Sequence, residues 1–101
     1  MNHEQIKKLI NRRRRQILLH SCIYYRLNDS IWTDEQYDKK ARELQSLQEK
    51  FPDIAKECVY AKEFEDFTET TSGFKLPIHD PVIVEKAQRL LKYHYERKNQ
   101  K

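Results

Sequence analysis

The apolar residues of the chain recur at helical spacing in three segments. The first predicted helix runs from about His3 to Leu27, and its start is marked by Asn2 with Gln5 three residues on, the pattern of a capping box. Its apolar stripe consists of Ile6, Ile10, Ile17 and Tyr24. Because Arg13 and Arg14 fall where a further apolar residue would lie, we expect their stems to lie on the core and their heads to reach water or carboxylates.

The second predicted helix has the most regular apolar period of the chain. It begins after Thr33, which forms a capping box with Gln36, and it should end before Pro52. We expect it to pair antiparallel with the first helix. Its apolar positions are Tyr37, Ala41, Leu44, Leu47 and Phe51.

A third helix is predicted from Asp80 as cap and Pro81 as first helical residue through about Arg97. Residues 53 to 60 fit a further helical turn or two, whereas residues 61 to 79 are predicted to be irregular or partly extended. The chain is therefore expected to form one all-α domain. An antiparallel helical hairpin occupies residues 1 to 60, an irregular connector residues 61 to 79, and a further C-terminal helix, residues 80 to 101, packs across the hairpin.

Composition agrees with a small, highly charged helical protein. The 101 residues are 38% apolar and 36% charged, and no apolar run approaches the ~20 residues that span a bilayer. An export signal is not recognisable, and Cys22 and Cys58 lack metal-ligand spacing, so we expect two reduced thiols, no bound metal, no membrane partner and a cytoplasmic location. The net charge is +4, with seven Lys or Arg against one Glu in residues 1 to 26.

The most specific pattern lies at residues 24 to 38, YYRLNDSIWTDEQYD. If the second helix begins near Thr33, then Asp34, Tyr37 and Asp38 stand at i, i+3 and i+4 and project from one face near its N-terminus. That face offers two carboxylate acceptors and one aromatic ring, close to the pair Tyr24 and Tyr25. The sequence therefore predicts a compact ligand-binding set.

This pattern resembles the N-terminal Ia segment of bacterial NAD-dependent DNA ligases, in which a Tyr-Tyr or Tyr-His pair, a loop and Asp-x-x-Tyr-Asp follow one another. The register agrees without gaps from about Ile6 to Ile54. The resemblance implies a site for NAD or nicotinamide mononucleotide. Tyr24 and Tyr25 would supply stacking and a phenol contact, and Asp34, Tyr37 and Asp38 would hold the carboxamide and ribose.

The residues alone also allow structural roles. Asp34 and Asp38 fit acids that complement the helix dipole, and Tyr37 fits a core residue. One of Tyr24 and Tyr25 should face inward, because adjacent helical residues point about 100° apart. Similarly, His20 matches a position that is often His in the family, although a lone helical His usually has a structural role.

The chain lacks the Lys-x-Asp-Gly motif with which these ligases attack the adenylyl phosphate, since its single glycine, Gly73, follows Thr71 and Ser72. We therefore expect no ligase catalysis by the chain on its own. The first hypothesis is a ligase-related domain that recognises nicotinamide mononucleotide, acting with a ligase adenylation domain.

Two further hypotheses remain open. The second is a phage or mobile-element module that docks on a ligase or replication protein. The third is nucleic-acid binding through the basic first helix at Arg12, Arg13, Arg14 and Arg15. At most two of these arginines could follow one phosphate backbone, because four successive residues spread around a full helical turn.

Overall fold

A computed structural model of the protein describes residues 1 to 68 and 70 to 99. Four α-helices and one 3-10 turn account for its regular structure, and no strand occurs in these two ranges. Residues 100 and 101 of the predicted C-terminal segment and Glu69 of the predicted connector lie outside the described residues. The elements are α1 (His3–Tyr25), α2 (Asp34–Lys50), α3 (Pro52–Glu57), the 3-10 turn (Gly73–Lys75) and α4 (Pro81–Asn99).

The helix starts lie where the sequence predicts them. The Asn2 side chain accepts a hydrogen bond from the Gln5 amide at 2.9 Å, and the Gln5 side chain accepts one from the Asn2 amide at 3.0 Å. Thr33 and Gln36 make the same reciprocal pair at 3.1 and 2.9 Å. Asp80 caps α4 by accepting the Val82 amide at 2.9 Å. Both capping boxes and the Asp80 cap are thus confirmed.

Helix α1 is the centre of the fold. It packs against α2, α3, the 3-10 turn and α4, whereas the C-terminal helix reaches the hairpin through α1. The all-α fold with a hairpin and a packed C-terminal helix is confirmed. None of the helices in the described ranges is long and apolar enough to cross a lipid bilayer.

The segment between α3 and α4 contains the 3-10 turn and no strand among its described residues, and it is also part of the core. Four apolar side chains of residues 61 to 79 are buried against the helices. A connector that supplies this much buried apolar surface is held in place by the same hydrophobic effect that packs the helices. These residues are Phe64, Phe67, Leu76 and Ile78.

Arg14 differs from the sequence expectation. Arg13 meets a carboxylate as expected, with Nε 3.0 Å from an oxygen of Glu43. The Arg14 side chain, however, is 1% exposed. Its Nη1 donates to the carbonyl oxygens of Ala55 at 2.9 Å and Val59 at 3.0 Å, and its Nε donates to Gln48 at 2.9 Å. The expectation of a solvated or carboxylate-paired head is wrong here, because the carbonyls of Ala55 in α3 and Val59 after it, together with the Gln48 side chain of α2, supply the acceptors.

Candidate functional site

A cavity of about 450 Å³ lies where the C-terminal end of α1, the loop before α2 and the first turn and a half of α2 meet residues 70 to 73. All five residues of the predicted ligand-binding set line this cavity. The pattern of residues 24 to 38 therefore converges in space as well as in sequence. The five residues are Tyr24, Tyr25, Asp34, Tyr37 and Asp38.

The two adjacent tyrosines end α1 and both remain open to solvent. Tyr24 is 55% and Tyr25 38% exposed, so the expectation that one of them faces the core is wrong. The reason is that the last turn of α1 borders the cavity. The two rings are nearly perpendicular, at 87° with centroids 4.9 Å apart, and Tyr25 also packs edge-on against Phe74 at 5.8 Å. Tyr24 is thus the more exposed of the two rings at the rim of the cavity.

The two carboxylates stand one helical turn apart on the cavity side of α2. Asp34 is the first residue of the helix, and both acids are exposed. Within the described residues neither carboxylate makes a hydrogen bond or an ion pair, so their oxygens are open to a ligand. Asp34 also complements the dipole of α2, because an acid in the first turn can stabilise the helix and still accept hydrogen bonds from a ligand.

Tyr37 links the two helices beneath the cavity. Its hydroxyl lies 2.9 Å from the Ser21 hydroxyl of α1, and Ser21 is completely buried. Burial raises the pKa of Tyr37, with the Ser21 hydrogen bond acting in the opposite direction. The phenol therefore stays protonated at neutral pH and keeps one hydrogen to donate.

Gly73 is a site residue that the sequence reasoning missed. A Cβ added there would collide with the Ser21 side chain and would lie 2.8 Å from the Tyr37 hydroxyl. Only glycine allows the backbone this close to both helices. The cluster of Thr and Ser around a single glycine was the only sequence signal for this contact.

Trp32, which the sequence reasoning missed, and His20, which it left outside the ligand-binding set, form another part of the lining. Their rings stack with centroids 3.6 Å apart and an interplanar angle of 5°. Burial lowers the pKa of His20 to about 4, and the charge of His94 adds to the effect, so the imidazole is neutral at pH 7. An aromatic residue directly before the Thr33 capping box is the usual position of a hydrophobic staple, which is the signal that could have indicated Trp32.

The cavity is therefore acidic and partly aromatic. With His20 neutral, its ionised lining groups at neutral pH are the two carboxylates. This combination suits a ligand that carries a flat cationic ring and hydroxyl groups. No cluster of His, Cys, Asp and Glu among the described residues has the geometry to hold a metal ion.

The four successive arginines do not form one surface. Arg14 is buried and Arg13 is paired with Glu43, which leaves only Arg12 and Arg15 exposed within the run. Phosphate binding by the whole run would require Arg14 to leave the core.

Comparison with known proteins places these observations in a family. The family model for the DNA ligase-like, N-terminal NAD+-binding domain matches residues 3–57. This matched range contains the five predicted site residues, whereas residues 70 to 73 lie beyond it.

Curated relatives agree with that match. A DNA ligase of Pseudothermotoga lettingae is 43% identical over 51 residues, which are 50% of this chain and 8% of the ligase. A DNA ligase of Coprothermobacter proteolyticus is 43% identical over 54 residues, which are 54% of this chain and 8% of the ligase. The chain thus spans about 8% of the length of these relatives, and no solved structure matches it. By its matched residues, the chain belongs to the family of DNA ligase-like, N-terminal NAD+-binding domains.

Proposed function

We propose that the cavity binds the nicotinamide mononucleotide half of NAD. The observation that carries this proposal is the convergence of Tyr24, Tyr25, Asp34, Tyr37 and Asp38 on one cavity in a chain whose family binds NAD+. The cavity volume of about 450 Å³ also falls within the roughly 300 to 1,000 Å³ typical of small-molecule sites.

Each group of the ligand has a chemically suitable partner. The exposed face of Tyr24 can stack on the pyridinium ring, with a cation–π contribution of about 0.5 to 2 kcal/mol. The Tyr25 phenol supplies a polar contact beside it. The open carboxylates of Asp34 and Asp38, together with the Tyr37 hydroxyl, can bind the carboxamide and the ribose hydroxyls. These assignments follow the roles that the family resemblance implies.

The chain would act with an adenylation domain. Only the N-terminal ligase domain is matched, and the sequence contains no Lys-x-Asp-Gly motif, since Gly73 is its single glycine. Transfer of the adenylyl group therefore needs a lysine from another domain. We propose that this chain holds the nicotinamide end of NAD while such a domain holds the adenylyl end.

The test is an amide-resolved NMR titration with nicotinamide mononucleotide and then NAD at moderate salt. We expect saturable shifts confined to residues that line the cavity, and affinity that changes little with salt, because stacking and short hydrogen bonds are weakly screened. Binding to DNA phosphates would instead weaken steeply with salt. Flat spectra at millimolar nucleotide would refute the proposal and favour the protein-docking hypothesis, which pull-down with a ligase or replication protein would then examine.

A matched pair of variants separates ligand binding from helix stabilisation. Asp34 begins α2 and lines the cavity, whereas Asp53 lies in the first turn of α3 outside it. Asp34→Asn should weaken nucleotide binding roughly tenfold through the loss of a charge-assisted hydrogen bond. Asp53→Asn should leave binding unchanged. Equal effects of the two substitutions would mean that Asp34 serves only the helix dipole.

A further inference from the structure

The segment Thr70, Thr71, Ser72 and Gly73, here called the hydroxyl wall, lines the cavity although it lies beyond residues 3–57 of the family match. It is anchored at both ends, because Phe67 before it and Leu76 after it are buried in the core. Between these anchors Gly73 is seated against Ser21 and Tyr37. Packing at both ends and at Gly73 therefore fixes the position of the hydroxyl wall in the cavity.

The hydroxyl wall contacts one of the tyrosines proposed to bind the nucleotide. The Ser72 hydroxyl donates to the Tyr25 phenol oxygen at 3.3 Å. A phenol that accepts this bond keeps its own hydrogen to donate to a ligand. The hydroxyls of Thr70 and Thr71 lie 3.0 and 3.1 Å from that of Thr68, which orders the wall internally.

The charges in the cavity indicate which end of the nucleotide meets this wall. Asp34 and Asp38 repel a phosphate group, and they suit the ribose hydroxyls and the carboxamide. The wall itself carries hydroxyl donors and no charged side chain. We propose that Thr70 and Ser72, whose side chains are exposed in the wall, donate hydrogen bonds to the phosphate of the nucleotide, with the Ser72 hydroxyl turning its single hydrogen from the Tyr25 oxygen to the phosphate when the nucleotide binds. This inference rests on the proposed nicotinamide mononucleotide site and names the residues that would bind the phosphate of the nucleotide.

Two probes that differ only in the phosphate test the inference: nicotinamide mononucleotide and nicotinamide riboside. Each is titrated into the full chain and into Thr70→Val and Ser72→Ala. A hydrogen bond to a charged group is lost in each variant only if the phosphate is present. We therefore expect mononucleotide affinity to fall roughly 5- to 10-fold, with riboside affinity changed less than about twofold. Ser46→Ala, an exposed serine of α2 outside the cavity, is the matched control and should change neither affinity.

The outcomes distinguish this inference from the function on which it rests. If the unaltered chain binds neither probe, the nucleotide site and the inference fail together. The inference alone is overturned in two cases. In the first, the unaltered chain binds the mononucleotide and both wall variants bind it equally well. In the second, the wall variants lose affinity for the mononucleotide and for the riboside to the same extent.

Gly73→Ala supplies an independent arm. The added methyl group would collide with Ser21, so the wall should move away from Tyr37, while the α-helices keep their circular dichroism because Gly73 lies in the 3-10 turn. We expect this variant to bind both probes at least fivefold more weakly, since loss of the close contact between Gly73 and Ser21 disturbs both the hydroxyl wall and Tyr37. Unchanged affinity for both probes, with helicity retained, would show that the wall takes no part in binding.

Discussion

The buried guanidinium of Arg14 makes a direct prediction about stability. Arg14→Met removes the charged head and keeps an unbranched stem in the core. The substitution leaves the Val59 carbonyl and the Gln48 side-chain oxygen without the donors that now lie at 3.0 and 2.9 Å. The Ala55 carbonyl is less affected, because it still accepts a long bond from the Cys58 amide at 3.3 Å.

The expected cost follows from these three acceptors. A buried acceptor that loses its donor costs about 1 to 3 kcal/mol, and the apolar stem of Met offsets part of the sum. We therefore expect Arg14→Met to lower the free energy of unfolding by about 3 kcal/mol, out of roughly 5 to 15 kcal/mol for a domain of this size. At about 4 to 8 °C for each kcal/mol, the melting temperature should fall by roughly 12 to 24 °C.

The assay is urea unfolding followed by circular dichroism, with the neighbouring Arg15→Met as matched control. Arg15 is exposed on the same helix, so its substitution should change the free energy of unfolding by no more than about 0.5 kcal/mol. If Arg14→Met and Arg15→Met cost the same, the hydrogen bonds from Arg14 to the carbonyls do not stabilise the fold as argued here.

Three further predictions concern the polar groups around the cavity. Tyr37→Phe should lower the free energy of unfolding by about 1 kcal/mol, because the buried Ser21 hydroxyl loses its partner; an unchanged urea midpoint would contradict this. Thr33→Ala should cost about 1 kcal/mol through loss of the α2 cap, and an unchanged melting temperature would exclude that role. The pKa of His20 is about 4, below the roughly 6.5 of an unfolded chain. As pH falls, the unfolded state therefore binds the proton first, and stability should be constant above pH 6.5 and decrease towards pH 4. His20→Gln should flatten this decrease in urea midpoints, and an equally steep decrease in the variant would contradict the role of His20.

Features that depend on neighbouring residues could be predicted from the sequence. The capping boxes at Asn2 and Thr33 and the start of α4 at Asp80 involve groups two or three residues apart, so local chemistry decides them. The position of Asp34, Tyr37 and Asp38 on the cavity side of α2 follows equally from helical spacing. The family resemblance placed Tyr24 and Tyr25 in the same proposed site, and they line the same cavity although they lie on another helix.

Features that depend on residues far apart in the chain could not be predicted from the sequence. Arg14 finds its carbonyl acceptors 41 and 45 residues away, and nothing in the pattern of the first helix indicates that they exist. Gly73 likewise meets Ser21 and Tyr37 across long stretches of chain. A residue type at a helical position predicts which face it lies on, but it does not predict what a later segment places against that face.

These distant contacts determine the shape of the proposed nucleotide site. The five predicted ligand residues lie in the first half of the chain, yet the hydroxyl wall and much of the buried apolar surface come from residues after 60. Gly73 packs beside the Ser21–Tyr37 hydrogen bond that joins α1 to α2, and Ser72 contacts Tyr25. Because the later segment both covers the hairpin and touches two of the proposed ligand residues, we infer that it fixes the geometry of a site whose chemistry resides in the hairpin.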